Sequence, residues 1–442
     1  MQRRDFLFRV GGAALGAATA GLVLGPRDAF ARRKTPKVDE PRPGKGKGDK
    51  PVEVNGGPVV LPPWPYGGSS TAPDAMLMFR GNPSHAGFYG TGKLPDKAPK
   101  IRWQHRMEEF PSLYYGEPFV WKGTGWTGQP IAYAGHVWIG GQGRSFYCFE
   151  AATGKVRWRL EGTRQFKGSS CFWDNKLYQG SVDDHLRCID ASTGEVLWKI
   201  NTGNDLDSSP CVVDGRLYIA GENGHARCVD ARTGKQIWKT FVGGIGRGPK
   251  PGSYGSETSP AVVDGAYYCA QYDGEVWCID AATGEKRWVA ETGDDTDASP
   301  VVAGDVVLAA AQDKSPYLYA FGKADGKERW KHKGRGGYWG TPGVMGDTVV
   351  IGSAGGKLDA LELASGKVKW SSELKGGTWS SPAIVDDKVL IGGIANELVC
   401  YGLGDGKELW RVKLGGHVHS TPVVIDGRIY VGSTGGSFFA IG

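Results

Sequence analysis

The 442-residue chain has only five methionines and eight histidines, and it lacks the short patterns that mark common metal and nucleophile sites. There is no Cys-x-x-Cys, no His-Glu-x-x-His and no Gly-x-Ser-x-Gly. That removes the usual zinc frameworks, the zincin hydrolases and the nucleophile-elbow hydrolases. After residue 75 no helical period lasts longer than a turn, which argues against α/β and helical folds. A membrane span needs about 20 strongly apolar residues, and the single long apolar run, Val10 to Gly25, is a weak one of glycine and alanine. The folded part also lacks charge of one sign. Of the formal +6, residues 1–31 carry +2 (four basic, two acidic) and residues 32–50 carry +5 (eight basic, three acidic), leaving the rest near −1. A nucleic-acid reader would place its basic surface on the folded part, so nucleic acid is not an expected partner.

What the chain has in plenty is one repeated phrase. "CIDASTGEVLW" (Cys188 to Trp198) returns as "CVDARTGKQIW" (Cys228 to Trp238) and "CIDAATGEKRW" (Cys278 to Trp288). Looser copies end at Trp158, Trp330, Trp370 and Trp410, and the seven tryptophans are 40, 40, 50, 42, 40 and 40 residues apart. A period near forty marks tandem supersecondary units. Each unit breaks at Asp-Gly, Asn-Gly or Thr-Gly into four β-branched or aromatic pieces, as antiparallel strands require. Four-stranded units in tandem are propeller blades. The last unit stops at Gly442 without its Trp strand, while "KIRWQHRM" (Lys100 to Met107) is a Trp strand without a unit. Pairing the two predicts an all-β, eight-bladed β-propeller of four-stranded antiparallel blades, closed by an N-terminal strand around Trp103. The glycine of the Thr-Gly turn supplies a left-handed backbone at little cost. Trp103, Trp158, Trp198, Trp238, Trp288, Trp330, Trp370 and Trp410 are expected to dock each blade on its neighbour.

Three segments follow: 1–31, 32–75 and 76–442. The first has Arg3-Arg4 followed by Phe6-Leu7, a short apolar region and "AFA" at 29–31. This is the layout of an export signal, and the arginine pair resembles a twin-arginine signal with cleavage after Ala31, although Phe8 stands where lysine is usual. The second, rich in Pro, Gly and Lys, reads as a flexible linker. The mature chain is expected outside the cytoplasm, in the periplasm or its equivalent, as a monomer without a transmembrane span.

Of the eight cysteines, Cys148, Cys188, Cys228, Cys278 and Cys400 share a repeat column with Ala320, Ala360 and Ala440, and Cys171 and Cys211 share another. Such interchange marks small core positions. One disulfide is considered: a two-residue Asp273-Gly274 turn would set Cys269 opposite Cys278, whereas a three-residue turn would set it opposite Trp277. "HVH" at 417–419 has a spacing that suits a ligand pair on one strand face, although such pairs are common without metal.

Function is expected where the repeats diverge. The position three before the Pro of "SSP", read round the ring as the axis-facing end of the inner strand, is Thr127, Lys167, Asp207, Glu257, Asp297, Trp339, Trp379 and His419. One arc is acidic, reinforced by Asp205, Asp294 and Asp295. The other is aromatic, with Tyr338 and Trp126 nearby. Carboxylates facing flat rings suit a cation, a cationic peptide, a sugar or a planar cofactor, and a plain water-filled mouth is the bland alternative. The insertion Phe241 to Glu257 lies on the same connection, as a lid or simply a surface loop.

The frame Cys-x-Asp-Ala-x-Thr-Gly-x-x-x-Trp, with "SSPxVVDGxxY" opening a unit and the lead-in Met78 to Trp103, resembles the quinoprotein-like, PQQ-repeat β-propellers over about residues 76–442. The resemblance implies one of two functions. The first is an exported non-catalytic propeller that acts as a binding or assembly scaffold for an envelope protein or polymer, with no cofactor. The second is a PQQ- and calcium-dependent dehydrogenase of alcohols or sugars. There Asp207, Glu257 and Asp297 would hold the metal, Asp297 or Asp207 would act as base, and Trp339 or Trp379 would stack on the quinone. The chain has no adjacent cysteine pair and no Cys-x-x-Cys-His, both of which weigh against the enzyme, so the scaffold is preferred.

Overall fold

The computed structural model describes residues 49–53, 58–67, 71–114, 117–125, 128–243 and 255–442. Among them stand eight antiparallel sheets of four consecutive blade strands, blades 1 to 8. Blade 3 is representative, running Cys211–Val213, Arg216–Gly221, His225–Asp230 and Gln236–Phe241 from the axis outward. Its innermost strand is short, and the inner strands of neighbouring blades touch one another. In blade 8 the outer strand is Ile101–Arg106, antiparallel to Ser437–Ile441 with Trp103 opposite Ala440. The ring therefore closes with strands from both ends of the chain.

The repeated phrase makes the joint between blades. In every blade the tryptophan pairs across the sheet with the Cys/Ala column, as in Cys188 opposite Trp198, beside a bulge. Each indole Nε1 then donates to a backbone carbonyl in the following blade: Trp158 to Ala191 at 3.1 Å, Trp238 to Ala281 at 2.9 Å, Trp330 to Leu363 at 2.9 Å. Trp410 in blade 7 donates to Pro95, and Trp103 in blade 8 to Ala151 of blade 1. The turn glycine serves twice. Gly194 has φ +78°, and a Cβ there would stand 2.7 Å from a Trp158 ring carbon. Only glycine allows both the left-handed turn and the close approach of the indole.

Nearer the axis a second belt runs blade to blade. The hydroxyls of Ser169, Ser209, Ser259, Ser299, Thr341 and Ser381 each accept the amide of the equivalent residue in the blade before. These are the second residues of the "SSP" phrase, so its serine is a coupling device.

The lead-in fills the channel from one end. Its amides and carbonyls bond to the inner strands of several blades, at Ala132, Phe172, Val262, Val302, Val344 and Val424. Arg80, fully buried with φ +59°, donates to the carbonyls of Pro382 (2.7 Å) and Pro342 (3.0 Å) and lies over the Tyr89 ring. His85 Nδ1 meets Pro300 O at 2.8 Å. One peptide thus ties the inner ends of blades 5, 6 and 7 together.

Parts of the compositional linker also lie against the ring. Lys50–Glu53 adds to the outer strand of blade 1, Trp64 packs on Tyr133 and Phe172, and Trp173 Nε1 donates to Gly67 O. The considered disulfide does not form. Cys269 stands opposite Trp277 and Cys278 opposite Tyr268, because the turn takes three residues, with Gln271 bonded to Glu275. None of the eight cysteines is in a disulfide and all are buried; burial raises the thiol pKa of Cys148, Cys211, Cys269 and others, and to about 12 at Cys188. Thiol titration in denaturant should therefore count eight.

Candidate functional site

The connections from each outer strand to the next inner strand share one face of the ring with the turns between second and third strands. The column Lys167, Asp207, Glu257, Asp297, Trp339, Trp379 and His419 lies in these connections, a few residues ahead of the inner strand rather than on it. Thr127, Trp126, and residues 244–254 of the glycine-rich insertion lie outside the described residues.

On the acidic side, Lys167 Nζ bonds Asp207 Oδ2 at 2.6 Å, and Asp207 is fully buried. The carboxylates of Asp207, Glu222 and Glu257 bring oxygens within 4.8 Å of one another. Tyr272 Oη donates to Glu257 Oε1 at 3.0 Å. Glu222 was missed from sequence. It occupies a second column, just after the second strand, where its neighbours round the ring are Val182, Tyr272, Gln312, Ala354 and Ile394. Each has its amide bonded into the connection of its own blade, as Glu222 N donates to Asp205 O. Comparing that column would have singled out the one carboxylate in it. Asp297, expected among metal ligands, is not one of this trio and accepts from Gln312 Nε2 at 2.8 Å.

The electrostatics follow from crowding and burial. Burial opposes the charge of Lys167, but Asp207, Glu257 and Glu222 outweigh it and raise its pKa. Burial, then Asp207, pushes Asp205 up to about 7. The same causes raise Glu222 well above the usual carboxylate range. A carboxyl with a raised folded pKa stabilises the fold while protonated and loses that contribution as pH rises through the folded value. Asp205→Asn should thus be more stable than the parent chain at pH 8, with the difference shrinking toward pH 4, read from urea midpoints at each pH. A constant difference would contradict the assignment.

On the aromatic side, Trp339 stacks on Trp379 at 4.9 Å and 24°, and Trp379 on His419 at 4.7 Å and 25°. Burial, then His417, drives His419 down to about 3, so a neutral imidazole ends the stack. His417 Nδ1 lies 2.5 Å from Ile394 O, and its ring is 5.5 Å from that of His419 at 46°. One histidine is therefore held by backbone and the other by stacking.

Residues 147–245, 222–382 and 374–442 match the family described as outer membrane protein assembly factor BamB. The chain belongs to this family. No curated protein matches it. Among solved structures it is similar to the quinohemoprotein alcohol dehydrogenase from Comamonas testosteroni, with 16% identity over 83% of this chain and 80% of that one and a TM-score of 0.65. BamB from Moraxella catarrhalis is also similar, with 16% identity over 78% of this chain and 99% of that one and a TM-score of 0.51. A europium-containing methanol dehydrogenase aligns at 12% identity over 82% and 90%, TM-score 0.63. At such identity the likeness is one of fold, shared by assembly factor and dehydrogenases alike. No helix among the described residues is long and apolar enough to cross a membrane.

Proposed function

We propose that this chain is an exported, non-catalytic propeller that binds an envelope protein or polymer at its open mouth, as a scaffold of the BamB kind. The observation that carries this is the mouth itself. A crowded arc of buried carboxylates around Lys167 lies across from a closed aromatic stack, on a ring whose other end is filled by its own lead-in. Such a surface attracts a basic, extended segment: ammonium and guanidinium groups pair with the carboxylates, and the indole edge of the stack gives apolar contact. The arginine pair, apolar run and "AFA" of residues 1–31 support export by a twin-arginine route. Fluorescence anisotropy with a labelled lysine-rich peptide tests the reading. Glu222→Gln/Glu257→Gln should weaken binding about tenfold or more, as expected for losing close charge pairs. Binding should also strengthen as pH rises through about 7, where Asp205 ionises. Equal affinity in the variant would sink the proposal.

A second reading, the PQQ- and calcium-dependent dehydrogenase, is favoured by the Asp207, Glu222 and Glu257 trio, whose oxygens suit calcium chemistry. The rest of the mouth fits less well. Trp379 has Trp339 on one face and His419 on the other and offers no platform to a quinone. Asp297 is engaged by Gln312 and is not one of the trio. Dye reduction by the chain with added PQQ and calcium, lost in Asp297→Ala, would decide for this reading instead.

A further inference from the structure

At the aromatic end of the mouth two histidines flank Val418, which is fully buried in a core cluster that spans blades 7 and 8. Their backbone is fixed. His417 N donates to Thr434 Oγ1 at 3.0 Å, Thr434 N donates to His417 O at 2.9 Å, and Val418 N donates to Gly393 O at 3.2 Å. The rings are fixed as well. His417 Nδ1 lies 2.5 Å from Ile394 O; a carbonyl oxygen only accepts, so the proton sits on Nδ1 and Nε2 carries a bare lone pair. His419 is 6% exposed and its ring stacks on Trp379 at 4.7 Å, yet its Nδ1 has no hydrogen-bond partner among the described residues. Buried polar atoms normally have a partner, so an orphan in a rigid setting marks a place where a ligand can supply one. The two ring centres lie 5.5 Å apart.

We propose that His417 and His419 form a binding site for a divalent transition-metal ion of borderline softness, zinc or copper. The separation fits. A ring that binds zinc through nitrogen at ~2.0–2.1 Å has its centre about 3.2 Å from the ion, so two rings at a tetrahedral angle have centres about 5.2 Å apart. The chemistry fits too: imidazole suits zinc and copper, whereas calcium and magnesium take oxygen ligands. The bond from His417 Nδ1 to the Ile394 carbonyl is the support that metal-bound histidines usually have, since it fixes the tautomer and orients the ring. Stacking uses only the face of the His419 ring, and its nitrogens lie on the edge. Two protein ligands leave the other positions of the ion to water or to a donor group of a docked molecule. The site goes beyond the pairing of a basic segment with the carboxylates, and it stands whether or not that segment binds.

Calorimetry of the full chain with zinc chloride alone, and separately with copper(II) sulfate alone, tests the site. Uptake should saturate at a single ion per chain, and uptake of only one of the two metals names the occupant. His417→Asn and His419→Gln should each weaken binding by more than about tenfold, the lower end of what losing merely a ligand's hydrogen-bond partner costs. His417 is half-buried, so His417→Asn carries the test where His419→Gln fails to fold. His136→Asn, in blade 1 at the start of its second strand, should leave the affinity unchanged. With copper, electron paramagnetic resonance should show hyperfine splitting from two imidazole nitrogens in the parent chain and from one in His417→Asn. Excess calcium should not displace the metal. No saturable uptake of either ion, or uptake undiminished in His417→Asn, would overturn the proposal. Displacement by calcium would also overturn it, because it would put the ion among the carboxylates of Asp207, Glu222 and Glu257.

Discussion

Replacing Trp158 with alanine should destabilise the propeller by about 3–5 kcal/mol, the usual cost of emptying a buried aromatic site. Trp158 is 2% exposed, and its neighbours cannot close over the gap. The indole covers Gly194, whose left-handed turn is held by backbone bonds of the next blade, Gly194 N to Asp190 O among them. The carbonyl of Ala191 also loses the donor it has at 3.1 Å. Trp158→Phe keeps most of the ring and loses the N–H, so it should cost less, about 1–3 kcal/mol for a carbonyl left without its partner. Val368, half exposed on the outer strand of blade 6, gives the control. Val368→Ala should fall within about 0.5 kcal/mol of the parent. Urea midpoints followed by far-ultraviolet circular dichroism make the comparison. If Trp158→Ala moved the midpoint no more than Val368→Ala, the blades would be held by something other than this joint.

Lys167→Met should be the most damaging change at the mouth, by about 3–5 kcal/mol, because removing one partner leaves a buried charge without compensation. Asp207 is fully buried, and the carboxylates of Glu222 and Glu257 close on it. Without the ammonium, the cheapest response is to take up protons. The sign follows from linkage. The pKa of Lys167 is raised above its ordinary value of 10.5, so its contribution is complete at neutral pH and is lost only well above it. The variant's defect, by contrast, should shrink on acidification as the arc becomes neutral. Lys167→Met/Asp207→Asn should regain most of the loss at pH 7, since a neutral amide needs no counter-charge. A single variant as stable as the parent, or a double variant no better than the single, would show that this pair does not hold the arc together.

Much of the molecule was legible because a propeller is built from local rules used repeatedly. Glycines at the Thr-Gly turns, tryptophans at a period near forty and β-branched pieces between Asp-Gly breaks need no knowledge of distant contacts, and so blade number, strand order and the closing strand at Trp103 could be read directly. The divergent column was legible for the same reason: against seven near-copies, Asp207, Glu257 and Trp379 stand out. Register was not. Whether the turn after Gln271 takes two or three residues is decided by how the hairpin twists into its blade, and that one residue moves Cys269 from Cys278 to Trp277.

By itself the sequence determined the ring, its joints and the unequal distribution of charge between tail and body. Only the tertiary structure decided which of those residues act together. Glu222 joins Asp207 and Glu257 because a turn between second and third strands shares the mouth with the connections, while Asp297, one blade further on, accepts from Gln312. Trp339, Trp379 and His419 become a single stack because successive blades present the same station at about ring-stacking distance. Repetition along the chain sets what each blade contains. Closure of the ring sets who meets whom, because that depends on the angle between blades, which no stretch of one blade encodes.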